Sequence, residues 1–230
     1  MTIIIPTLNE ATQLPATVRT LRKRAVAPEQ LEILLVDAGS EDSTVDIARQ
    51  MELTVFLRPD FRYQRYRSLQ LGLEEAGHDA VLFLDADTRV PPAFDRLIRE
   101  KLGEQDCVGG AFEFALDAQG WLWSLIACIN RMRYRWHPIY HGDQGVFCRR
   151  EVALRLGGIP HEPLMEIAYF CRTLRSAGRL CLIKAPAVTS ARRFTEHGPW
   201  RVIWFDVRMW LRFITGRPVA PFAIRYWTKT

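Results

Sequence analysis

One stretch of the chain decides the fold: Val81-Leu82-Phe83-Leu84-Asp85-Ala86-Asp87-Thr88. Four successive apolar residues are typical of a strand that is buried on both faces of a parallel sheet. In an extended chain, residues i and i+2 point the same way, so Asp85 and Asp87 would project together from the carboxyl end of this strand. Open α/β sheets bind ligands at that edge, and paired carboxylates there suit a divalent cation with a diphosphate. The competing interpretation is a polar strand end followed by a turn.

The composition predicts a folded protein with one sizeable core. Of the 230 residues, 48% are hydrophobic and 25% are charged, which are ordinary values for a globular chain. One domain with an appendage is expected at this length. The net charge of +5 is mild, so it suggests anionic partners, and we expect no nucleic acid among them.

The cysteines and the start of the chain favour a cytoplasmic protein. Five scattered cysteines without a Cys-x-x-Cys pair predict reduced thiols and argue against a zinc site. The N-terminus shows no basic or apolar region of a signal peptide. No apolar run approaches the roughly 18 residues of a spanning helix. Peripheral contact with the inner face of the membrane is the alternative that we keep open.

Strands and helices alternate in the first half of the chain. Strands are predicted over 2–6, 33–36, 54–57 and 80–84, and helices over 12–24, 44–52 and 63–76. This alternation predicts parallel βαβ units. Polar residues follow three of the strands, at Asn9-Glu10, Asp37 and Asp85 to Asp87. Because the carboxyl ends of parallel strands share one edge of a sheet, we expect a nucleotide pocket there.

The second half is less regular and ends in an aromatic and basic segment. Helices are predicted over 91–101, 121–136 and 166–177, and strands over 108–114, 146–149 and 180–183. From Pro199 onward, tryptophan and phenylalanine alternate with arginine. In one interpretation this segment lies on a membrane surface, with its arginines on anionic lipid. In the other, its aromatic residues pack on the chain or on a second subunit, forming a homodimer, while the arginines snorkel.

Ordered motifs in both halves carry a resemblance to a known family. Those in the first half are Ile3-Ile4-Ile5-Pro6-Thr7-Leu8-Asn9-Glu10, Val36-Asp37-Ala38-Gly39-Ser40-Glu41-Asp42-Ser43-Thr44 and Phe83-Leu84-Asp85-Ala86-Asp87. They resemble a family 2 glycosyltransferase with the GT-A fold. Three motifs in the second half resemble the subgroup called radical-SAM/selenodomain-associated transferase 2. These are Tyr140-His141-Gly142-Asp143-Gln144-Gly145-Val146-Phe147, Pro163-Leu164-Met165-Glu166 and Val188-Thr189-Ser190-Ala191-Arg192-Arg193-Phe194.

The resemblance implies a fold, a domain plan and a reaction. The fold is α/β, with a Rossmann-like, mostly parallel central sheet flanked by helices and a helical, aromatic-rich C-terminal extension. The GT-A domain spans 1–198, with a nucleotide-binding half over 1–90 and an acceptor half over 91–198, and the extension spans 199–230. The reaction moves a sugar from a UDP- or GDP-sugar to an unknown acceptor, which is a small molecule, a lipid phosphate or a glycan. It inverts the anomeric centre and uses Mg²⁺ or Mn²⁺.

The resemblance also implies the residues of the site. The nucleoside pocket would be lined by Thr7, Asn9 and Glu10, and Asp37 would contact the base. Arg67 would approach the diphosphate, Asp85 would face the ribose or the donor, and Asp87 would hold the metal ion with Asp85. Five further positions are expected to bind the nucleotide sugar: Pro6, Gly39, Ala86, Arg192 and Arg193. His141 is either a turn residue or a late metal ligand.

The chain departs from the family pattern at the catalytic base. Inverting transfer needs a base that takes the acceptor's proton. Relatives usually supply the aspartate of a Glu-Asp pair that opens a helix, and here the pair is Glu166-Ile167. Three alternatives stay open. Glu166 is the base, or Asp143 in the Gly-rich loop is the base, or there is none, because the acceptor is already ionised or the activity is lost.

Two other classes of function compete with glycosyl transfer. A nucleotidyltransferase also combines an α/β nucleotide domain with metal-binding aspartates. Its first loop is usually rich in glycine and basic residues, whereas Thr7-Leu8-Asn9-Glu10 contains neither glycine nor lysine. The other competitor is a catalytically lapsed nucleotide-sugar-binding protein, which the isoleucine at position 167 supports.

Overall fold

One central sheet organises the chain in the computed structural model, which describes residues 1–136 and 138–223. The strands are β1 (Thr2–Thr7), β2 (Glu32–Asp37), β3 (Thr54–Leu57), β4 (Ala80–Phe83), β5 (Thr88–Arg89), β6 (Cys107–Leu116), β7 (Val146–Arg149) and β8 (Arg179–Thr189). The helices are α1 (Leu14–Arg24), α2 (Thr44–Gln50), α3 (Arg65–Glu75), α4 (Phe94–Gly103), α5 (Trp121–Trp136), α6 (Arg150–Arg155), α7 (Glu166–Leu174), α8 (Arg192–His197) and α9 (Pro199–Ile214).

The strands lie in the order β3-β2-β1-β4-β7-β6-β8-β5. The first four strands of the chain pair in parallel, β1 with both β2 and β4, and β2 with β3. Antiparallel pairing of β7 with β4 and with β6 joins this half to the second, where β6 and β8 are again parallel. The carboxyl ends of β1, β2 and β4 therefore meet at one edge of the sheet.

The isoleucine run of β1 explains why the sheet is covered on both faces. Ile3, Ile4 and Ile5 have no exposed surface. Ile4 packs in a cluster with Leu69 and Leu73 of α3, while Ile3 and Ile5 pack on the opposite face with residues of α1. Burial of each such side chain contributes about 1.5–3 kcal/mol. A strand that is apolar at successive positions is thereby held between two helical layers.

A close approach between α3 and β1 fixes where α3 begins. A Cβ atom added to Gly72 would lie 2.4 Å from Cγ2 of Ile4, so only glycine allows this contact. The helix thus lies directly against β1, and its first residue, Arg65, is placed at the carboxyl edge of the sheet.

Three expectations from the sequence need correction here. The helix expected from residue 91 begins at Phe94, after Ala93 in the left-handed region with φ of 56°. Strands β6 and β8 are longer than the predicted 108–114 and 180–183. Their pairing begins at Cys107 with Arg179 and ends at Leu116 with Thr189. The expectation of scattered thiols is amended for Cys107 and Cys181, because this pairing places them side by side, with Cα atoms 6.4 Å apart, within reach of a disulfide.

The C-terminal extension contains the helix α9, in agreement with the helical extension that the resemblance implied. One face of α9 packs on the rest of the chain through the buried Val202, Met209 and Phe213. Trp200 and Trp204 of the same helix are exposed. Arg225 and Trp227, also expected in this segment, lie outside the described residues. Within the described chain, no helix has the length and apolarity needed to cross a membrane.

Candidate active site at the carboxyl edge of the sheet

The two aspartates after β4 lie on a turn. The amide of Thr88 donates to the carbonyl oxygen of Asp85 at 3.0 Å, which closes the turn. The expectation that an extended backbone projects Asp85 and Asp87 together is therefore wrong, because the strand ends at Phe83. Both side chains nevertheless line the same cavity. The hydroxyl of Thr17 on α1 donates to the carbonyl oxygen of Ala86 at 2.6 Å and holds the turn against the sheet.

Negative charge is concentrated around Asp87. Burial, followed by the neighbouring carboxylates of Asp85 and Glu10, raises the pKa of Asp87 to about 7. The Glu10 carboxylate accepts a hydrogen bond from Arg192 at 3.0 Å, and burial raises the pKa of Glu10 as well. Glu10 and Arg192 thus lie beside Asp87, on the loop after β1 and at the start of α8.

Arg65 occupies the centre of this charged edge. Its guanidinium donates to Asp85 at 2.5 Å and also to the carboxylate of Glu166. Burial lowers the pKa of Arg65, but the two carboxylates more than offset this effect and raise it above its ordinary value. Gly142 leaves room for the guanidinium, because a Cβ there would lie 2.8 Å from Nη2 of Arg65. The site therefore contains a permanently charged arginine between two acidic side chains.

The sequence pointed to Arg67 instead, and the structure places that side chain elsewhere. Arg67 bonds to Asp60 at 3.3 Å and stacks over the Phe61 ring at 4.1 Å. Residues two apart on an α-helix point in directions about 200° apart, so only one of Arg65 and Arg67 can face the cavity. Which one faces it depends on how α3 packs, and the Arg-x-Arg spacing alone does not say.

The Glu166 side chain is held in an ion pair with Arg65. It opens α7 directly after Met165, which lies in the left-handed region with φ of 58°. Its side chain is only 7% exposed and is held by Arg65. To take a proton from an acceptor, Glu166 would first have to leave this ion pair.

Asp143 is the other candidate base, and it lies on a short 3₁₀ turn over Gly142–Gln144. It lines the cavity, and burial raises its pKa to about 6, against the opposing charge of Arg133. The neighbouring His141 also lines the cavity. Burial, followed by the charges of Arg133 and Arg193, lowers the pKa of His141 well below its ordinary value, so its ring is neutral. At neutral pH, Asp143 is mostly ionised and can accept a proton.

The residues expected in the nucleoside pocket form a hydrogen-bonded pair of loops. Asp37 has no exposed surface and accepts hydrogen bonds from the Thr7 hydroxyl at 2.9 Å, the Gly39 amide at 3.0 Å and the Ser40 amide at 2.7 Å. Asn9, with φ of 59°, accepts from the Glu41 amide at 2.8 Å. In this structure Asp37 therefore anchors the loop, and the expected contact of its carboxylate with a base stays a prediction.

The cavity itself has a volume of about 740 Å³ and two chemically different ends. The charged end is lined by Arg65, Asp85, Asp87, Asp143, Glu166 and Arg193. Large apolar side chains of α5 and α9 line the other end. Of the remaining predicted residues, Pro6, Thr7, Asn9, Asp37, Gly39 and Ala86 belong to the strand ends and loops beside this cavity rather than to its wall.

The acidic edge fits a divalent cation that takes part of its coordination from a substrate. Among residues 1–136 and 138–223, no three His, Cys, Asp or Glu side chains converge into a complete metal cage. Metal ions at diphosphate sites are typically held by one or two carboxylates together with phosphate oxygens. Burial and the neighbouring carboxylates of Asp85 and Glu10 raise the pKa of Asp87, and a cation would offset the charge of those carboxylates. Asp85 and Asp87 are the residues that would hold it.

Comparison with known proteins assigns the chain to a family. The model of glycosyl transferase family 2 matches residues 2–155, from β1 through α6. The chain belongs to glycosyl transferase family 2. The curated relatives it matches are longer. The chain is 37% identical over 123 residues to an undecaprenyl-phosphate 4-deoxy-4-formamido-L-arabinose transferase from Pseudomonas syringae pv. syringae (strain B728a), and the match covers 47% of this chain and 34% of that protein.

Solved structures show the same fold as this family 2 chain. A mannosyltransferase from Pyrobaculum calidifontis in complex with GDP-Man and Mn²⁺ has a TM-score of 0.64 at 22% identity, over 81% of this chain and 55% of that one. A glucosyl-3-phosphoglycerate synthase from Mycobacterium tuberculosis with Mn²⁺ and UDP-glucose has a TM-score of 0.62 at 16% identity, over 94% and 79%. These likenesses confirm the predicted GT-A fold.

Sequence reasoning missed several residues of the family 2 site. Arg65, Arg133 and Asp206 lie in the cavity wall without having been singled out. The sequence shows Arg65 as the first arginine of an Arg-x-Arg pair in α3. It does not show that the helix face carrying Arg65 is the one that lines the cavity. Arg133 and Asp206 lie on α5 and α9, which carry several other charged residues, so each resembles an ordinary solvated position.

Proposed function

We propose that this chain transfers a sugar from a nucleoside diphosphate sugar to an acceptor at the charged end of the cavity, with inversion and with Mg²⁺ or Mn²⁺. The observation that carries the proposal is the convergence of Asp85, Asp87 and Arg65 at the carboxyl edge of a GT-A sheet. We also propose that the chain belongs to the subgroup called radical-SAM/selenodomain-associated transferase 2. Its nucleotide-binding half would span 1–90, its acceptor half 91–198 and its C-terminal extension 199–230. The second-half motifs and the start of α9 at Pro199 support those two points.

The charged side chains fit the demands of a departing diphosphate. The cation held by Asp85 and Asp87 would supply positive charge that stabilises the leaving group. Arg65 and Arg192 provide further positive charge beside those carboxylates. Because both arginines are already paired with acidic residues, they are held in place before the substrate arrives, which lowers the reorganisation needed for transfer.

Asp143 is the base that we propose for an acceptor hydroxyl. It lines the cavity and has a pKa of about 6, so it is ionised at neutral pH and close in basicity to an efficient proton acceptor. Glu166 is held by Arg65 and serves instead to position that guanidinium. This arrangement accounts for a chain that lacks an aspartate at position 167.

The donor nucleotide remains to be chosen between uridine and guanosine. The two structural neighbours described above contain GDP-Man and UDP-glucose. Both diphosphates are therefore used in the test below. For the localisation we propose a protein that works in the cytoplasm, in contact with the inner face of the membrane or as a dimer through α9, because exposed apolar residues lie on that helix.

One specific observation favours a second function, binding of a nucleotide sugar without turnover. The helix-opening carboxylate in the family position, Glu166, is engaged by Arg65, and the next residue is isoleucine. A lapsed enzyme would keep the donor pocket and lose transfer. Binding and turnover must therefore be measured separately.

The test is calorimetric titration of the purified protein with UDP and GDP, with and without Mn²⁺. We expect metal-dependent binding of one diphosphate, lost in Asp87→Asn and kept in the control Asp46→Asn, whose side chain is 73% exposed on α2. Turnover is then followed as release of free nucleoside diphosphate from the sugar nucleotide, since a nucleotidyltransferase releases pyrophosphate. Binding without release would assign the lapsed function. Failure of the folded protein to bind either diphosphate would refute both.

A further inference from the structure

The apolar end of the cavity is a groove whose two walls are α5 and α9, and these two helices carry most of the exposed apolar side chains of the molecule. Among the described residues, nine of the twelve large hydrophobic side chains that are exposed belong to α5 and α9. We call these nine side chains the docking surface. Exposed apolar surface that is concentrated in this way usually marks an interaction site.

Five residues of the docking surface form one stripe along α9. They are Trp200, Trp204, Val207, Leu211 and Ile214. Successive members are four and three residues apart in turn, a spacing that keeps them on one face of a helix. Each is at least 42% exposed, whereas the opposite face of α9 is buried against the chain. The helix is therefore apolar on two faces, and the chain covers one of them.

The other four residues of the docking surface lie on α5, at spacings of four, four and three. They are Trp121, Leu125, Ile129 and Met132. They open toward the same side as the α9 stripe, because Leu125, Ile129 and Met132 border the groove together with Trp200 and Val207. The two helices thus present one apolar surface around the mouth of the groove.

Exposed arginines border this apolar surface. Arg201 and Arg208 each follow a residue of the α9 stripe, so they lie about 100° around the helix, along one edge of that stripe. Arg131 precedes Met132 on α5 and is exposed as well. Together α5 and α9 carry six arginines and one acidic residue, Asp206, which is paired with Arg193. The surface is therefore apolar at its centre and basic at its edge.

We propose that the docking surface rests on an anionic lipid bilayer, with its tryptophans at the level of the lipid head groups and its arginines on their phosphates. Apolar helix faces with aromatic residues and a basic border bind such interfaces. The inference deepens the proposed function, since it rests on the localisation proposed there and selects one of its two alternatives. It requires neither a particular acceptor nor a bound nucleotide.

The charges argue against a second copy of the chain as the occupant. In a two-fold dimer the same surface meets itself. The six arginines of α5 and α9 in one copy would then face the six of the other, with one aspartate in each copy. Like charges that are brought together in this way oppose association. An anionic bilayer supplies the opposite charge and covers the apolar stripe at the same time.

The experiment is flotation of the whole chain with lipid vesicles at low and high salt. One set of vesicles is phosphatidylcholine alone, and the other contains about one-third phosphatidylglycerol. Two variants probe the docking surface and its border, Leu211→Ser for the apolar contact and Arg208→Gln for the charge. Their matched controls are Leu57→Ser, at a leucine that is 49% exposed against 48% for Leu211, and Arg19→Gln, at an exposed arginine of α1.

We expect the unaltered protein to bind the phosphatidylglycerol vesicles about tenfold or more tightly than phosphatidylcholine alone, and less tightly at high salt. Leu211→Ser and Arg208→Gln should each lose about fivefold in affinity, while Leu57→Ser and Arg19→Gln bind like the unaltered protein. The inference is overturned if the protein floats with neither set of vesicles, if the two lipid compositions bind equally, or if both variants match their controls.

Two further measurements separate the other occupant and the other function. Sedimentation velocity tests the second copy, because a dimer that Leu211→Ser dissolves would overturn the bilayer as the occupant. Each protein is also titrated with UDP and GDP in Mn²⁺, which reports the donor site independently. Loss of flotation with nucleotide binding intact would overturn the docking surface alone. Flotation without nucleotide binding would overturn the transferase function and leave the docking surface standing.

Discussion

The loops that follow β1 and β2 lie beside the cavity, whereas α5 and α9 line it, and the two regions differ in how their side chains are satisfied. In the loops, Asp37 and Asn9 are tied by hydrogen bonds of 2.7–3.0 Å to neighbouring amides and hydroxyls. In the groove, Ile129 and Met132 face water, and Arg133 has long contacts to neutral oxygens. The polar side chains of the loops find their hydrogen-bond partners within the chain, whereas the groove leaves apolar surface exposed that a ligand could cover.

This difference teaches where recognition is fixed and where it varies. A hydrogen-bonded loop pair changes little when a nucleotide arrives, so it suits a donor group that is shared across a family. The exposed apolar area of the groove walls would be lost only when something fills the groove, so we propose that their residues select the acceptor. The family match covers residues 2–155, which include the loops after β1 and β2 and the groove wall α5, and it ends before the other wall, α9.

The largest effect should come from the charged end. Asp87→Asn removes the carboxylate that lies in the most negative part of the site, so we expect transfer to fall about 10³-fold, together with metal-dependent diphosphate binding. Initial rates of nucleoside diphosphate release measure the change. Asp46→Asn is the matched control. An Asp87→Asn protein that keeps both its affinity and its response to Mn²⁺ would remove Asp87 from the donor site.

Asp143→Asn tests the acceptor side of the same edge. If Asp143 takes the proton of a hydroxyl, its replacement by an amide should lower transfer about 10²-fold while diphosphate affinity stays unchanged. In the unaltered protein, the rate should rise as pH passes through about 6, because the ionised form is the active one. An unchanged rate in Asp143→Asn would mean that the acceptor oxygen is already ionised.

The same substitution should leave a signature in stability. The pKa of Asp143 is raised in the folded protein, so the stability that its carboxyl contributes is present below the ordinary pKa and is lost as pH rises through about 6. The amide of the Asp143→Asn variant cannot ionise, so that variant escapes this loss. Melting temperatures measured from pH 4 to pH 8 should therefore fall more for the unaltered protein than for Asp143→Asn, and parallel curves would contradict the assignment.

Replacing Arg65 separates the two arginines of α3. Arg65→Gln leaves Asp85 and Glu166 without their shared cation, so we expect the free energy of unfolding to fall by about 3 kcal/mol. Arg67→Gln breaks an exposed pair with Asp60 and a stack over the Phe61 ring, and it should cost less, about 1 kcal/mol. Urea unfolding of both variants measures the difference. Equal losses would mean that Arg65 is no more engaged than its neighbour.

The smallest effect is expected at the edge between the two regions. In Gly142→Ala the new Cβ would lie 2.8 Å from Arg65 Nη2, so this flexible guanidinium must shift, and transfer should fall by a few-fold. Gly103→Ala is the control, because nothing lies within 4 Å of a Cβ at that position. Rates that are identical in both variants would show that the Arg65 position can vary without consequence for the reaction.

The parts of the molecule that could be predicted are those where local pattern and tertiary structure agree. The apolar run before Asp85 is typical of a buried strand, and the carboxyl ends of such strands share an edge, so the parallel half of the sheet followed from sequence, while the GT-A fold followed from the resemblance of the motifs. The faces of helices did not follow. The choice between Arg65 and Arg67 is made by the contact of Gly72 with Ile4, which no spacing within α3 encodes.

The acceptor side was predicted least well for the same reason. Arg133 can be recognised as a residue of the cavity wall only once the fold has brought α5 and α9 to the two sides of that cavity. The two helices are far apart in the chain, so the sequence alone does not show this. The expectation for α9 named both packing and surface contact. The structure shows packing through one face, with Trp200 and Trp204 exposed on another.

The ion pair between Arg65 and Asp85 has a consequence for binding order. Asp85 is already neutralised by a guanidinium, so a free dication arriving alone would have to compete with Arg65 for that carboxylate. If the proposed donor binds here together with its cation, its diphosphate would share the Arg65 guanidinium with Asp85, and Asp85 could then hold the cation at a lower cost. The two ligands would therefore be coupled, and each should bind more tightly in the presence of the other, by the same factor.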